Sequence, residues 1–129
     1  EISVVCYSLN NKKALSYNTS ARMFCACTVK APFNLFACME MDKDVASLDT
    51  EMIYEKKHYE PGTGDMQYSS YGTKFTMRTI LHKSMSISDN VGYLMSVDYF
   101  KREKYNTFAE ELGIDSLKIK PTVWALKGR

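Results

Sequence analysis

Apolar and polar positions change their period several times along the chain, and each change marks an expected element. Ile2 to Leu9 is apolar and β-branched, Asn10-Asn11-Lys12-Lys13 is polar, and Ala14 to Tyr17 turns apolar again. That pattern predicts two short strands joined by a hairpin, with asparagine supplying the positive φ a tight turn needs. Two strands alone are marginal in water. The rest of the chain carries little strand signal, so the pair needs other strands to join.

Thr28 to Met41 predicts a helix, with Pro32 in the first turn, where a missing N–H costs little. Its apolar residues, among them Val29, Phe33, Leu35, Phe36, Met39 and Met41, fall on almost every side, the pattern of a buried helix. Asp42-Lys43-Asp44 is its polar exit. Ser47 to Tyr59 is mixed, and Pro61-Gly62-Thr63-Gly64 is a firm turn. Thr76 is the expected N-cap of a helix running to Ile87, with Met77, Ile80, Leu81 and Met85 at helical spacing. Further helices are predicted from about Val91 to Phe100 and from Glu103 to Leu112, the last stopped by Gly113. No element is assigned from Lys118 onward, and there is no repeat, low-complexity tract or linker. The expected fold class is α+β and mostly helical, with a strand pair over 1–18 and a helical region over 19–129.

Composition narrows the function classes. A chain of 129 residues fits one domain with a real core, and 45% hydrophobic and 25% charged residues are ordinary for a globular protein. A net charge of +2 does not suggest a nucleic-acid surface, and the one basic cluster, Lys101-Arg102-Glu103-Lys104, includes an acid. No apolar run reaches the length of a membrane span, and no signal segment opens the sequence at Glu1. Cys25 and Cys27 are too close to bridge comfortably. Cys27 and Cys38 on one helix would sit about 16 Å apart in rise. Cys6, Cys25, Cys27 and Cys38 are therefore expected to be buried free thiols.

The chemistry concentrates at two short motifs. Cys27-Thr28-Val29-Lys30 opens the first helix, and Ser88-Asp89-Asn90 lies well downstream. Residues three apart at a helix start project from one face. A nucleophile at the first could be served by the amine at the second if its surroundings lower the amine's pKa. The helix N-terminus adds a positive dipole and free N–H groups for a developing oxyanion. Ser88-Asp89-Asn90 also has the composition of an N-cap or Asx-turn, and both readings hold together.

Phe24-Cys25-Ala26-Cys27-Thr28-Val29-Lys30-Ala31-Pro32-Phe33, taken with Ser88-Asp89-Asn90, resembles the class A β-lactamases and penicillin-binding proteins. Their active sites combine Ser-x-x-Lys, Ser-Asp-Asn and Lys-Thr-Gly. Tyr17-Asn18, Gly62-Thr63-Gly64, Gly72-Thr73-Lys74-Phe75-Thr76 and Glu111-Leu112-Gly113 look like landmarks of the same family. The resemblance implies the helical part of the β-lactamase/transpeptidase-like fold, about the first half of a family member. It implies Cys27, Lys30 and Ser88 as catalytic residues, Asn90 as a substrate-binding residue and Asp89 as a loop-orienting one. It also implies acyl-enzyme chemistry on a β-lactam or a peptidoglycan stem peptide, no cofactor or metal, and an extracytoplasmic setting.

The sequence departs from that pattern in three ways. Cysteine stands at the nucleophile position, as native chemistry, a decayed site or an engineered change. No Lys-Thr-Gly follows, and Pro121 to Arg129 contains no acid to activate a deacylating water. The expectation is a partial hydrolase, inactive or able only to acylate, whose incomplete sheet is covered by a second chain or a swapped copy. The competing reading is a β-lactam-binding sensor or degenerate relative. A cysteine hydrolase pairing Cys27 with His58 or His82, and a zinc site built from Cys25, Cys27, Cys38 and a histidine, are minor alternatives. Both histidines read as solvated surface residues.

Overall fold

The computed structural model describes residues 2–21, 24–114 and 117–119. Strands β1 (Val4–Tyr7) and β2 (Ala14–Tyr17) pair antiparallel, with Val4 opposite Tyr17 and Tyr7 opposite Ala14. The hairpin lies where the apolar–polar–apolar pattern put it, but Lys12, at φ 56°, takes the left-handed conformation rather than an asparagine. Every residue of both strands is exposed, including Val5, Tyr7, Leu15 and Tyr17.

Among the described residues four helices follow: α1 (Lys30–Met41), α2 (Met77–Ser86), α3 (Asn90–Phe100) and α4 (Arg102–Glu111). A 3₁₀ turn, Ala26–Val29, runs directly into α1. The predicted α+β, mostly helical architecture is what forms. A second small sheet was not expected: β3 (Glu51–Ile53) pairs antiparallel with β4 (Lys74–Thr76), Met52 opposite Phe75. Strands of three residues are too short to show a period: β3 falls in the mixed stretch from Ser47 to Tyr59, and β4 immediately precedes the helix that Thr76 caps.

The helix apolar on all sides is not the central one. α1 buries Lys30, Phe33, Asn34, Phe36, Ala37 and Glu40, the one-sided stripe of an amphipathic helix. Ala31, Leu35, Cys38 and Met39 lie exposed on its other side. The helix that is buried round most of its circumference is α3, through Val91, Gly92, Tyr93, Met95, Ser96 and Phe100. A Cβ added at Gly92 would stand 2.9 Å from the Ile80 carbonyl oxygen, so α2 and α3 approach too closely there for a side chain. The core between α1, α3 and α4 is aromatic. Phe33 meets the Tyr93 ring edge-on at 5.5 Å, and Phe36 meets Tyr105 at 5.6 Å.

Thr76 caps α2, accepting the Thr79 N–H at 3.3 Å. Thr76→Ala is expected to lower stability by about 1 kcal/mol, measurable as a shifted urea midpoint. An unchanged midpoint would mean that the β3–β4 pairing alone sets where α2 begins. Cys6, Cys25, Cys27 and Cys38 are free thiols but exposed, which corrects the expectation of burial. Their apolar neighbours in sequence lie on the open hairpin, on the loop before α1 and on the uncovered side of α1.

Candidate active site

Two chain segments meet at the N-terminal end of α1. The first is the 3₁₀ turn that presents Cys27. Ala26 enters it at φ 43°, an uncommon conformation for a residue with a Cβ. The Thr28 N–H and hydroxyl both donate to the Cys25 carbonyl, which closes the turn. Lys30 is then the first residue of α1, and its side chain points inward, only 2% exposed. The second segment is the α2–α3 connection, Ile87 to Asn90. Ser88 sits at φ 57°, and Asp89 and Asn90 start α3. A non-glycine residue held there costs on the order of 1–3 kcal/mol, so the surroundings must hold it.

Lysine 30 joins the two. Its ammonium donates to the Ser88 carbonyl, to Ser88 Oγ at 3.0 Å and to Asn90 Oδ1 at 2.8 Å. The Cys27 side chain also hydrogen-bonds it. Burial holds the Lys30 pKa below the ordinary lysine value, because the charged form loses its solvation. The Cys27 interaction and the Asp89 charge pull the other way without cancelling the effect. The structure thus gathers Cys27, Lys30, Ser88 and Asn90 around one nitrogen.

Asp89 turns away from this group. It is fully buried, and its carboxylate accepts the Gly92 N–H at 2.8 Å and the Met66 N–H at 2.9 Å. The first bond caps α3. The second ties down the loop from Pro61 to Met66. That loop also anchors Asn90, whose N–H donates to the Thr63 carbonyl at 3.1 Å and whose Nδ2 reaches the Pro61 carbonyl at 3.4 Å. Gly62 and Gly64 are required by proximity as much as by conformation. A Cβ on Gly62 would stand 2.9 Å from Asn90 Nδ2, and one on Gly64 would stand 2.0 Å from Asp89 Oδ2.

Two further residues belong to the site and were not singled out from the sequence. Thr63 Oγ1 donates to the Ser88 carbonyl at 2.7 Å and lies 3.3 Å from Asn90 Oδ1, duplicating part of what Lys30 does. Gln67 folds back on the loop, its Nε2 donating to the carbonyls of Gly62 at 2.8 Å and Gly64 at 2.7 Å. The only signal was the Gly-Thr-Gly turn itself, since neither residue type announces a role.

The histidines stand apart from this chemistry. His58 is buried, not solvated as its lysine-rich surroundings suggested. Its Nδ1 accepts the Glu55 N–H at 3.1 Å, so Nε2 carries the proton that Asp98 Oδ2 accepts at 3.1 Å. Burial alone would raise the Asp98 pKa, but the bonds from Lys57 and His58 outweigh it and hold the carboxyl at about 2. Both His58 nitrogens are committed to this packing. His82 is exposed on α2. Among the described residues no group of three or more His, Cys, Asp and Glu side chains is arranged to hold a metal ion. No helix among them is long and apolar enough to cross a membrane.

The family model described as the Beta-lactamase enzyme family matches residues 1–129. No curated protein matches the chain. Among solved structures it is similar to that of PBP-A, at TM-score 0.90 and 19% identity, covering 98% of this chain and 48% of the other. A PBP-A mutant solved as the acyl-enzyme complex with penicillin G gives TM-score 0.83 at 19% identity, covering 86% of this chain and 42% of that one. The β-lactamase from Sphaerobacter thermophilus DSM 20745 gives TM-score 0.73 at 22% identity, covering 79% of this chain and 38% of that one. The chain spans about half or less of the length of these structures.

Proposed function

The chain belongs to the β-lactamase enzyme family, and from that membership we propose that it carries the acylating half-site of a β-lactamase-like hydrolase, with Cys27 as the nucleophile. The acyl donor is a β-lactam or a peptide ending in D-alanyl-D-alanine. The observation that carries the reading is Lys30 Nζ, hydrogen-bonded to Ser88 Oγ and Asn90 Oδ1 and three residues from Cys27, whose side chain interacts with it. The penicillin G acyl complex of the PBP-A mutant supports β-lactams as one donor class.

In the proposed reaction Cys27 Sγ attacks the carbonyl carbon as its proton passes to the Lys30 amine. Lys30 is suited to this because burial lowers its pKa toward the working range of a general base. Ser88 Oγ, bonded to the same amine, relays a proton to the leaving nitrogen. Asn90 holds the amide side chain of the substrate. Asp89 has no free oxygen to offer and acts by positioning Ser88 and Asn90.

Deacylation has no evident machinery within residues 1–129. The sequence holds no Lys-Thr-Gly, and no acid lies between Pro121 and Arg129 to activate water. Residues 1–129 taken by themselves are proposed to acylate and retain the acyl group rather than turn it over. The bare hairpin β1–β2 gives a partner a place to bind. A second polypeptide segment bearing further strands would cover it, in an extracytoplasmic setting.

Intact mass after incubation with benzylpenicillin tests the reading, on this chain and on Cys27→Ser. We expect a lasting adduct of one penicillin on residue 27, with negligible turnover of a chromogenic cephalosporin. No adduct on either protein would sink the proposal. Steady turnover would sink its acylation-only part.

A further inference from the structure

We propose that Cys27 and Lys30 also form a reversible covalent sulfur–oxygen–nitrogen bridge when the site meets hydrogen peroxide, a redox lock on the nucleophile. Three observations converge on it. The Cys27 thiol is exposed, so a small oxidant reaches it. Cys27 lies three residues before Lys30, in the 3₁₀ turn that runs directly into α1, and its side chain interacts with the Lys30 amine, so the two groups to be joined are neighbours. The Ser88 carbonyl, Ser88 Oγ and Asn90 Oδ1 hold that nitrogen in place, and the residue is only 2% exposed, so the amine cannot swing away into water. A serine at position 27 could not do this, because the chemistry needs an oxidisable sulfur.

The steps balance with two equivalents of peroxide. The sulfur attacks one peroxide oxygen, the O–O bond breaks, water leaves, and the thiol becomes a sulfenic acid. The free Lys30 amine attacks a second peroxide, releasing water and leaving a hydroxylamine. Burial favours this step by lowering the Lys30 pKa and so raising the share of free amine. The hydroxylamine oxygen then attacks the sulfenic sulfur and expels the third water. One thiol, one amine and two peroxides give one bridge and three waters. Excess dithiothreitol supplies the four electrons that return the thiol and the amine.

Cys25 is the obvious competitor. It is exposed, and only Ala26, at φ 43°, separates it from Cys27. A sulfenic acid on Cys27 captured by Cys25 would give a disulfide instead. The measurement is therefore intact mass and peptide mapping of the full chain after mild peroxide, alongside Cys25→Ser and Lys30→Arg. The bridge appears as one oxygen gained and two hydrogens lost, on a peptide linking residues 27 and 30, and dithiothreitol reverses it. We expect it in the parent and in Cys25→Ser, and not in Lys30→Arg. Loss of two hydrogens with no oxygen, or gains of whole oxygens alone on Cys27, would overturn the inference. The readout does not involve a β-lactam, so it stands or falls separately from acylation.

Discussion

Asp89→Ala is expected to lower the stability of the chain by about 3–5 kcal/mol, the largest single effect of any site residue outside the aromatic core. The figure follows from what the carboxylate holds. Removing an N-cap acceptor costs about 1–2 kcal/mol, and each buried N–H left without a partner costs about 1–3 kcal/mol. Here one side chain serves both the Gly92 and Met66 N–H groups and has no exposed surface, so no water takes its place easily. Asp89→Asn should fall in between, since an amide offers one acceptor oxygen and turns an N–H₂ against the other donor. Gly64→Ala attacks the same contact from the opposite side, because its Cβ would stand 2.0 Å from Asp89 Oδ2 at a φ of 98°. Urea unfolding of all three decides the matter. A shift below about 1 kcal/mol for Asp89→Ala would mean that Gln67 and Thr63 hold the loop without it.

The sequence made most of the helices legible because each has its own period or cap. Met77, Ile80 and Leu81 recur on one face of α2, and Thr76 precedes them as a capping residue. The Asn-Asn hairpin was equally readable, since two apolar runs flank a polar turn. Which helix lies at the centre was not legible. α1 and α3 are both rich in apolar residues, and only assembly decides that α3 is enclosed while Leu35 and Met39 of α1 stay open. β3 and β4 escaped because three residues cannot display alternation. His58 was misplaced for a related reason. Its lysine neighbours suggest solvent, but a fixed pair of hydrogen bonds to Glu55 and Asp98 carries it inward.

At the site itself, residue types with distinctive chemistry were visible and their supports were not. Cys27, Lys30, Ser88 and Asn90 could be named because the two motifs that contain them resemble a known constellation. That Lys30 would reach Ser88 and Asn90 rather than solvent is a tertiary fact, produced where the start of α1 meets the start of α3. Thr63 and Gln67 are common residues in a loop, and nothing in their order along the chain says that they brace Asn90.

Lys30→Met should separate chemistry from architecture, lowering the rate of acylation at Cys27 by about 100- to 10,000-fold while leaving stability nearly unchanged. The rate term is the general-base contribution of a positioned amine. The small stability term reflects two effects that offset each other. Removing a buried charge relieves its desolvation, and that relief often equals or exceeds what its bonds contributed. The Ser88 carbonyl keeps the one proton that Thr63 Oγ1 donates, so the nearer of the two oxygens that Lys30 serves is not stranded. pH provides a second signature. Burial depresses the folded-state pKa of Lys30, so just below the ordinary lysine value the unfolded chain binds a proton that the folded chain releases. Stability therefore rises with pH across that window in the parent, and acylation rises over the same range as the amine becomes free. Both slopes should flatten in Lys30→Met. Adduct formation with benzylpenicillin, timed by intact mass at several pH values, reads the rate, and urea unfolding reads the stability. A variant that acylates at the parental rate with the parental pH profile would make Lys30 a strut between α1 and α3. The proton from Cys27 would then have to leave by another route.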